Sequence, residues 1–325
     1  MKQSLKKVKK IIAASNYIRE NLIANGVEQD KIEVVHNGID RKLFHPIIGL
    51  SSYIVDVKPF AIKRPYFVYG SRLSGPEKKH IELIKAFALF KEKTKLPHRL
   101  VIAGEGPYDK EIHQAVMNSS VASDIFLTGF FPHKSFPMMY AGSEACVFPS
   151  VNEGVGLPIL EAMATGVPVL CSKSGALPEI AGDAAYYFDS DNIEEIATGL
   201  ERIVTDNELR STLTNKGIER VEAFDWELTV AKTLEIAKED LENATRKAFE
   251  MGWNSVKLYF MIGLPTETYD DLDGIADLAY KVIDMYRDVN GGKLKRAFGV
   301  TVSTSTFVPK PFTPFQWWIR TVWRW

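Results

Sequence analysis

A regular alternation of short apolar runs with longer amphipathic stretches, from Pro65 to about Ala223, constrains this chain more than any other feature. Apolar runs at 66–69, 100–103, 125–128, 146–149, 168–172 and 185–188 read as strands. Between them, 81–92 carries Ile81, Leu83, Ile84, Phe87, Ala88 and Phe90 at helical spacing. Further helices are read at 108–117, 136–142, 177–181, 193–205, 207–223 and 226–243. Strands that alternate with helices predict an α/β fold, a parallel sheet with helices on both faces. In such sheets a ligand sits beyond the carboxyl ends of the strands, where this chain places its glycine-rich turns.

One turn and helix carry chemistry. Residues 150–169 read SVNEGVGLPILEAMATGVPV, with Glu153 and Glu161 flanking Gly154, Val155 and Gly156. Pro158 opens an apolar helix that ends near Gly166, the usual asymmetry of proline at a helix start and glycine past its end. The free amides of Gly154, Val155, Gly156 and Leu157 then lie at a positive helix end, which suits an anion. A carboxylate on each side accepts hydroxyl protons, so the pattern fits a phosphorylated sugar better than a bare phosphate. The plainer alternative is that Glu161 complements the helix dipole and the glycines make a turn. That alternative is the better account of any single residue and the poorer account of the whole stretch.

The rest of the chain narrows the possibilities. Its 325 residues imply about two domains, and a net charge of −1 gives no general attraction to nucleic acid. Cys146 and Cys171 are the only cysteines, both in apolar strand-like surroundings, which points to buried thiols in a reducing cytoplasm. No apolar run reaches the roughly 20 residues of a membrane helix. The lysine-rich start, MKQSLKKVKK, leaves room for a weak peripheral contact with an anionic membrane. Residues 11–15 read as a strand end, Ser15 caps a helix over 16–25 closed by Gly26, and 31–35 is a second strand. Residues 40–64 lack strong periodicity and are read as a linker or crossover.

Several motifs fall in a specific order: NGID at 37–40, SRLSGPEKK at 71–79, GEGP at 104–107, TGF at 128–130, FPSVNEGVGLPILEAMATGVPV at 148–169 and SGALPEIAGDAA at 174–185. Residues 11–237 thereby resemble the family 4 retaining glycosyltransferases of the GT-B fold. The resemblance implies a Rossmann-like domain that binds a nucleotide-diphosphate sugar and transfers its hexosyl group, with retention, to a hydroxyl of a glycan, lipid or other acceptor. By the same resemblance Arg72 and Lys78 grip the diphosphate. One extra residue in the loop leaves Lys79 as an alternative to Lys78. Glu153 holds the donor sugar's hydroxyls beside the amides of Gly154 to Leu157, and Glu161 accepts from the ribose. Gly129, Phe130 and Phe131 border the base. Val155 stands where Phe is common. Gly104 and Gly106 are read as turn residues. No metal is implied, since the two cations neutralise the leaving group.

His36, His80, His98 and His133 show no metal spacing and are assigned core or surface roles, and Glu179 is read as supporting the first turn of its own helix. The resemblance divides the chain into three parts. Residues 1–45 correspond to the end of an N-terminal acceptor domain and linker, 46–237 to the donor domain, and 238–325 to something else. With so little of the acceptor domain matched, impaired transfer or a non-catalytic nucleotide-binding module is expected.

Residues 239–318, with GLPTET at 263–268 and FVPKPFTPFQW at 307–317, resemble the late part of a radical SAM barrel. The composition reads as a short βαβ fragment, with a turn at 263–268 and Thr268 and Asp271 forming a capping box. An iron–sulfur cluster needs three thiolates from a local cysteine motif, and no cysteine follows Cys171, so none is expected. Two partial likenesses in one chain imply a chimeric reading frame.

Overall fold

The structure, a computed structural model, describes residues 8, 10–47, 49–50, 52–57, 60–262, 269–295 and 297–306. It divides into two units, Met1–Thr233 and Leu234–Trp325. In the first, β1 (Ile11–Ala13) leads through α1 (Asn16–Ala24) to β2 (Ile32–Val34), which pairs with β1 in parallel. The Ser15 hydroxyl accepts from the Ile18 amide and caps α1. The expected linker is instead partly ordered. β3 (Ile54–Val57) and β4 (Phe60–Lys63) form an antiparallel hairpin. Each strand has only four residues, too few for an alternating pattern to stand out from the sequence.

The main sheet comprises β5 (Tyr66–Gly70), β6 (Arg99–Ala103), β7 (Ile125–Leu127), β8 (Ala145–Phe148), β9 (Val169–Ser172) and β10 (Ala185–Phe188). The strands run in the order β10-β9-β8-β5-β6-β7, and every pairing is parallel. Its helices are α2 (His80–Thr94), α3 (Asp109–Met117), α4 (Phe136–Ala141), α5 (Leu157–Ala164), α6 (Leu177–Ala181), α7 (Ile193–Thr205) and α8 (Asn207–Arg220). Every residue of β5, β8 and β9 is buried, as expected of strands covered on both faces. Phe67 lies edge-on to Phe87 and Phe90 of α2 and stacked on His98.

The strand order reverses between β5 and β8. Connections from β5 run outward to β6 and β7, while those from β8 run the other way to β9 and β10. The loops leaving these two strands therefore part and leave a crevice at their carboxyl ends. The first loop carries Arg72 and Lys78, and the second carries Glu153 to Gly156.

The helix read at 226–243 continues, as α9, over Trp226–Glu250. Gly252, at φ 90°, ends it. In the second unit β11 (Ser255–Ile262) and β12 (Gly299–Thr306) pair in parallel around α10 (Tyr269–Val289). Phe249, Leu258, Val282, Met285 and Tyr286 form its small core. The expected turn at 263–268, the capping box on Thr268 and the prolines Pro309, Pro311 and Pro314 lie outside the described residues. Among the described residues no helix is long and apolar enough to cross a membrane.

Candidate functional site

The loop after β8 narrows into α5 through Gly156, whose φ of 71° is the left-handed conformation that glycine adopts without strain. Pro158 occupies the first turn of α5. Among the described residues no acceptor is bonded to the amides of residues 154–157. The helix buries Ile159, Leu160, Ala162, Met163 and Ala164. Glu161 sits among them with a side chain only 14% exposed. Burial holds its carboxyl above the usual carboxylate range, opposed by His133, whose Nε2 lies 3.0 Å from Oε1.

Glu161 forms one wall of a cavity of about 310 Å³ that Arg72, Phe130, Phe131, His133 and Phe136 also line. Arg72 borders a second cavity as well, of about 690 Å³, shared with Glu105, His113 and Gly129. No side chain among the described residues pairs with the Arg72 guanidinium, which stands exposed at the crevice. Phe131 is buried, stacked on Phe60 and edge-on to Phe136, while Phe130 is 68% exposed. Of the two aromatic side chains, Phe130 is the free one.

Glu153 and Lys78 form a second cluster. Lys78 Nζ donates to Glu153 Oε2 at 2.8 Å, and both side chains are largely buried. Lys79 turns away through a left-handed backbone, φ 56°, toward Asp191 and Glu82. The geometry therefore brings Lys78, not Lys79, to the carboxylate. The Gly154 carbonyl accepts from the Ser15 hydroxyl at 2.6 Å, and a β-carbon at this position would lie 3.1 Å from the Ile18 side chain. Gly104 and Gly106 are close-approach positions, where a β-carbon would stand 2.0 Å from the Ser71 carbonyl oxygen and 2.2 Å from that of Leu73. His80, buried and bonded to Ser71, has its pKa pushed down to about 4 by burial and by Lys78.

Sequence reasoning missed two partners. His133 belongs to the site through Glu161. Glu179 does not serve only its own helix: it accepts from the Asn16 and Tyr17 amides and the Asn16 side chain, and meets His36 Nε2 at 2.6 Å. It thus holds the start of α1 against the sheet domain. Burial pushes its carboxyl up, but the bonds from Asn16, His36 and Tyr17 outweigh it and hold the pKa below the usual 4.5. A depressed pKa contributes stability that is present above the unfolded value and lost as pH falls through the folded one. Glu179→Ala is expected to cost about 1–2 kcal/mol at pH 7. The deficit should shrink in denaturant melts below pH 4.5, where the unaltered chain also loses these bonds.

Comparison with known proteins decides the family. The model of glycosyl transferases group 1 matches residues 54–220, half of the chain. The chain belongs to this family. Residues 1–43 match the model of Glycosyltransferase Family 4. The O-antigen chain mannosyltransferase B of Escherichia coli is 28% identical over 243 residues, covering 73% of this chain and 62% of that protein. Across three curated relatives the chain spans 42% to 62% of their lengths. Among solved structures, sucrose-phosphate synthase from Thermosynechococcus elongatus superposes with a TM-score of 0.63 at 23% identity, over 74% of this chain and 60% of that one. HepE from Anabaena, in complex with UDP and glucose, gives 0.61 at 20% identity, over 72% and 67%. Both show the GT-B half seen here, at the level of fold. Neither family match reaches residues 239–318, and the likeness of that stretch to radical SAM proteins finds no support in these matches.

Proposed function

We propose that this glycosyltransferase chain carries the donor side of a retaining hexosyl transfer from a nucleotide-diphosphate sugar to a hydroxyl of a glycan, lipid or other acceptor. One observation carries the reading: Arg72, from the loop after β5, shares a cavity with Glu161 of α5, while Lys78 from the same loop reaches Glu153 from the loop after β8. Cations and carboxylates alternate across the switch-point crevice, matching a ligand of alternating phosphate and hydroxyl groups.

In this reading the ribose hydroxyls donate to Glu161, and the base lies over Phe130 with Gly129 and Phe131 at its border. The diphosphate meets Arg72, Lys78 and the amides of Gly154, Val155, Gly156 and Leu157. Arg72 and Lys78 supply the positive charge that the departing diphosphate needs, with no metal required of the protein. Glu153, already held by Lys78, accepts from the sugar's hydroxyls. As the anomeric carbon–oxygen bond to the diphosphate breaks, the acceptor oxygen bonds to the same face, and its proton passes to the departing phosphate. Residues 1–45 belong to the acceptor side and 46–237 to the donor domain. Residues 238–325 contribute no cysteine and take no part.

Holding the acceptor in place supplies much of the rate of a two-substrate transfer. The 325-residue chain assayed alone is therefore expected to bind donor and to transfer slowly. Calorimetric titration with UDP-, GDP- and ADP-sugars, followed by hydrolysis and transfer assays, separates the cases. Binding without turnover identifies a nucleotide-binding module, and turnover identifies a transferase. Arg72→Ala should weaken the nucleoside diphosphate about tenfold, less so at high salt, and leave the bare nucleoside unaffected. Equal loss for nucleoside and diphosphate would remove Arg72 from the phosphate site.

A further inference from the structure

We propose that His133 is a positioning residue for the nucleotide ribose, acting through Glu161. The proposal rests on the assignment of Glu161 to the ribose hydroxyls and adds a residue to that site. His133 opens the short turn His133–Ser135, one residue after Pro132, and its ring is 65% exposed at the rim of the 310 Å³ cavity. Phe44 packs edge-on against it at 5.3 Å between ring centres, and Phe136 lies at 6.3 Å. These rings fix the plane of the imidazole, and its Nε2 meets Glu161 Oε1 at 3.0 Å.

The chemistry follows from what Glu161 must do. To accept from two hydroxyls it must be ionised, yet burial in an apolar helix favours its neutral form. The groups facing it are few. Tyr140 comes from α4 and Cys146 from β8, both kept neutral by burial, and Arg72 and Glu105 stand on other walls of the cavity. Among the described residues, His133 is the group bonded to the carboxylate. Its Nε2–H occupies one lone pair of Oε1 and favours the charged form. The other lone pair of Oε1 and both of Oε2 remain for the 2′ and 3′ hydroxyls. A free carboxylate in this position would rotate about its last bond and take up a proton more readily.

The test uses the full chain and whichever of UDP, GDP and ADP binds it most tightly, with the 2′-deoxy counterpart as a second probe. His133→Ala should weaken the ribonucleotide about tenfold at pH 6 and less at pH 8, because a higher pH favours the charged carboxylate. It should weaken the deoxynucleotide less, so that discrimination between the two sugars falls. His133→Gln, whose amide can donate to the same oxygen, should recover part of the loss. In a Glu161→Gln background the further change His133→Ala should add nothing, because its effect passes through the carboxylate. Unchanged affinity in His133→Ala at both pH values, with binding lost in Glu161→Ala, would overturn the proposal and leave the ribose assignment standing. Equal loss for ribo- and deoxynucleotide would likewise overturn it. Full binding by Glu161→Ala, or binding of none of the three nucleotides by the unaltered chain, would overturn the donor-site reading beneath it.

Discussion

Replacing Glu161 by Gln is expected to weaken nucleotide binding about hundredfold while making the empty protein harder to unfold. The loss follows from two hydroxyl-to-carboxylate bonds becoming bonds to a neutral amide, which donates on one side and cannot serve both hydroxyls. The gain follows from burial. The Glu161 side chain, 14% exposed in a helix whose neighbours are apolar, bears a charge that the interior disfavours. Because its folded pKa is raised above 4.5, its contribution to stability is full below that value and is lost as pH rises through the folded pKa. The Gln variant has no such loss. At pH 7 its melting temperature should therefore exceed that of the unaltered chain by about 2 °C, and the two curves should converge below pH 4. A site kept at a cost to the fold is the signature of a group retained for its ligand. A Gln variant that binds nucleotide normally, or melts lower at pH 7, would show that Glu161 serves the helix instead.

The parts of this architecture visible in the sequence are those that burial writes into composition. Strands β5 to β10 lie within a residue or two of their expected positions because a parallel strand covered on both faces has to be a continuous apolar run. The crevice followed from them, since the glycine-rich turns fall at their carboxyl ends. The hairpin at 54–63 was not visible, because four-residue strands do not establish a period. The partners of Glu161 and Glu179 were also hidden. Glu161 meets His133 and Glu179 meets His36, Asn16 and Tyr17 only once the chain has folded. A histidine with no metal spacing gives no local sign of such a role. The ambiguity between Lys78 and Lys79 had the same origin. Only the fold shows that Lys78 reaches Glu153 while Lys79, on a left-handed backbone, reaches Asp191 and Glu82.

The site also depends on a residue that touches no ligand in the proposed reading. Gly104 follows β6, and its amide donates to the Gly129 carbonyl while the Ser71 amide donates to the Ala103 carbonyl beside it. The backbone of Ser71 and Arg72 crosses so near that a β-carbon on Gly104 would lie 2.0 Å from the Ser71 oxygen and 2.9 Å from its carbonyl carbon. The obstacle is backbone paired into the sheet, so it cannot swing aside as a side chain would. At φ 148° the position is also one that L residues avoid. Gly104→Ala should therefore cost about 3 kcal/mol or more and displace Arg72 from both cavities it borders. Denaturant midpoints would read the first effect, and nucleoside diphosphate affinity, measured where the variant is still folded, would read the second. Gly129→Ala is the control. Its φ of 65° is also left-handed, but a β-carbon there meets nothing within 4 Å, so only the backbone penalty of about 1 kcal/mol applies. Equal destabilisation by the two substitutions would mean that conformation, rather than the close approach of the Ser71 backbone, is what glycine supplies at position 104.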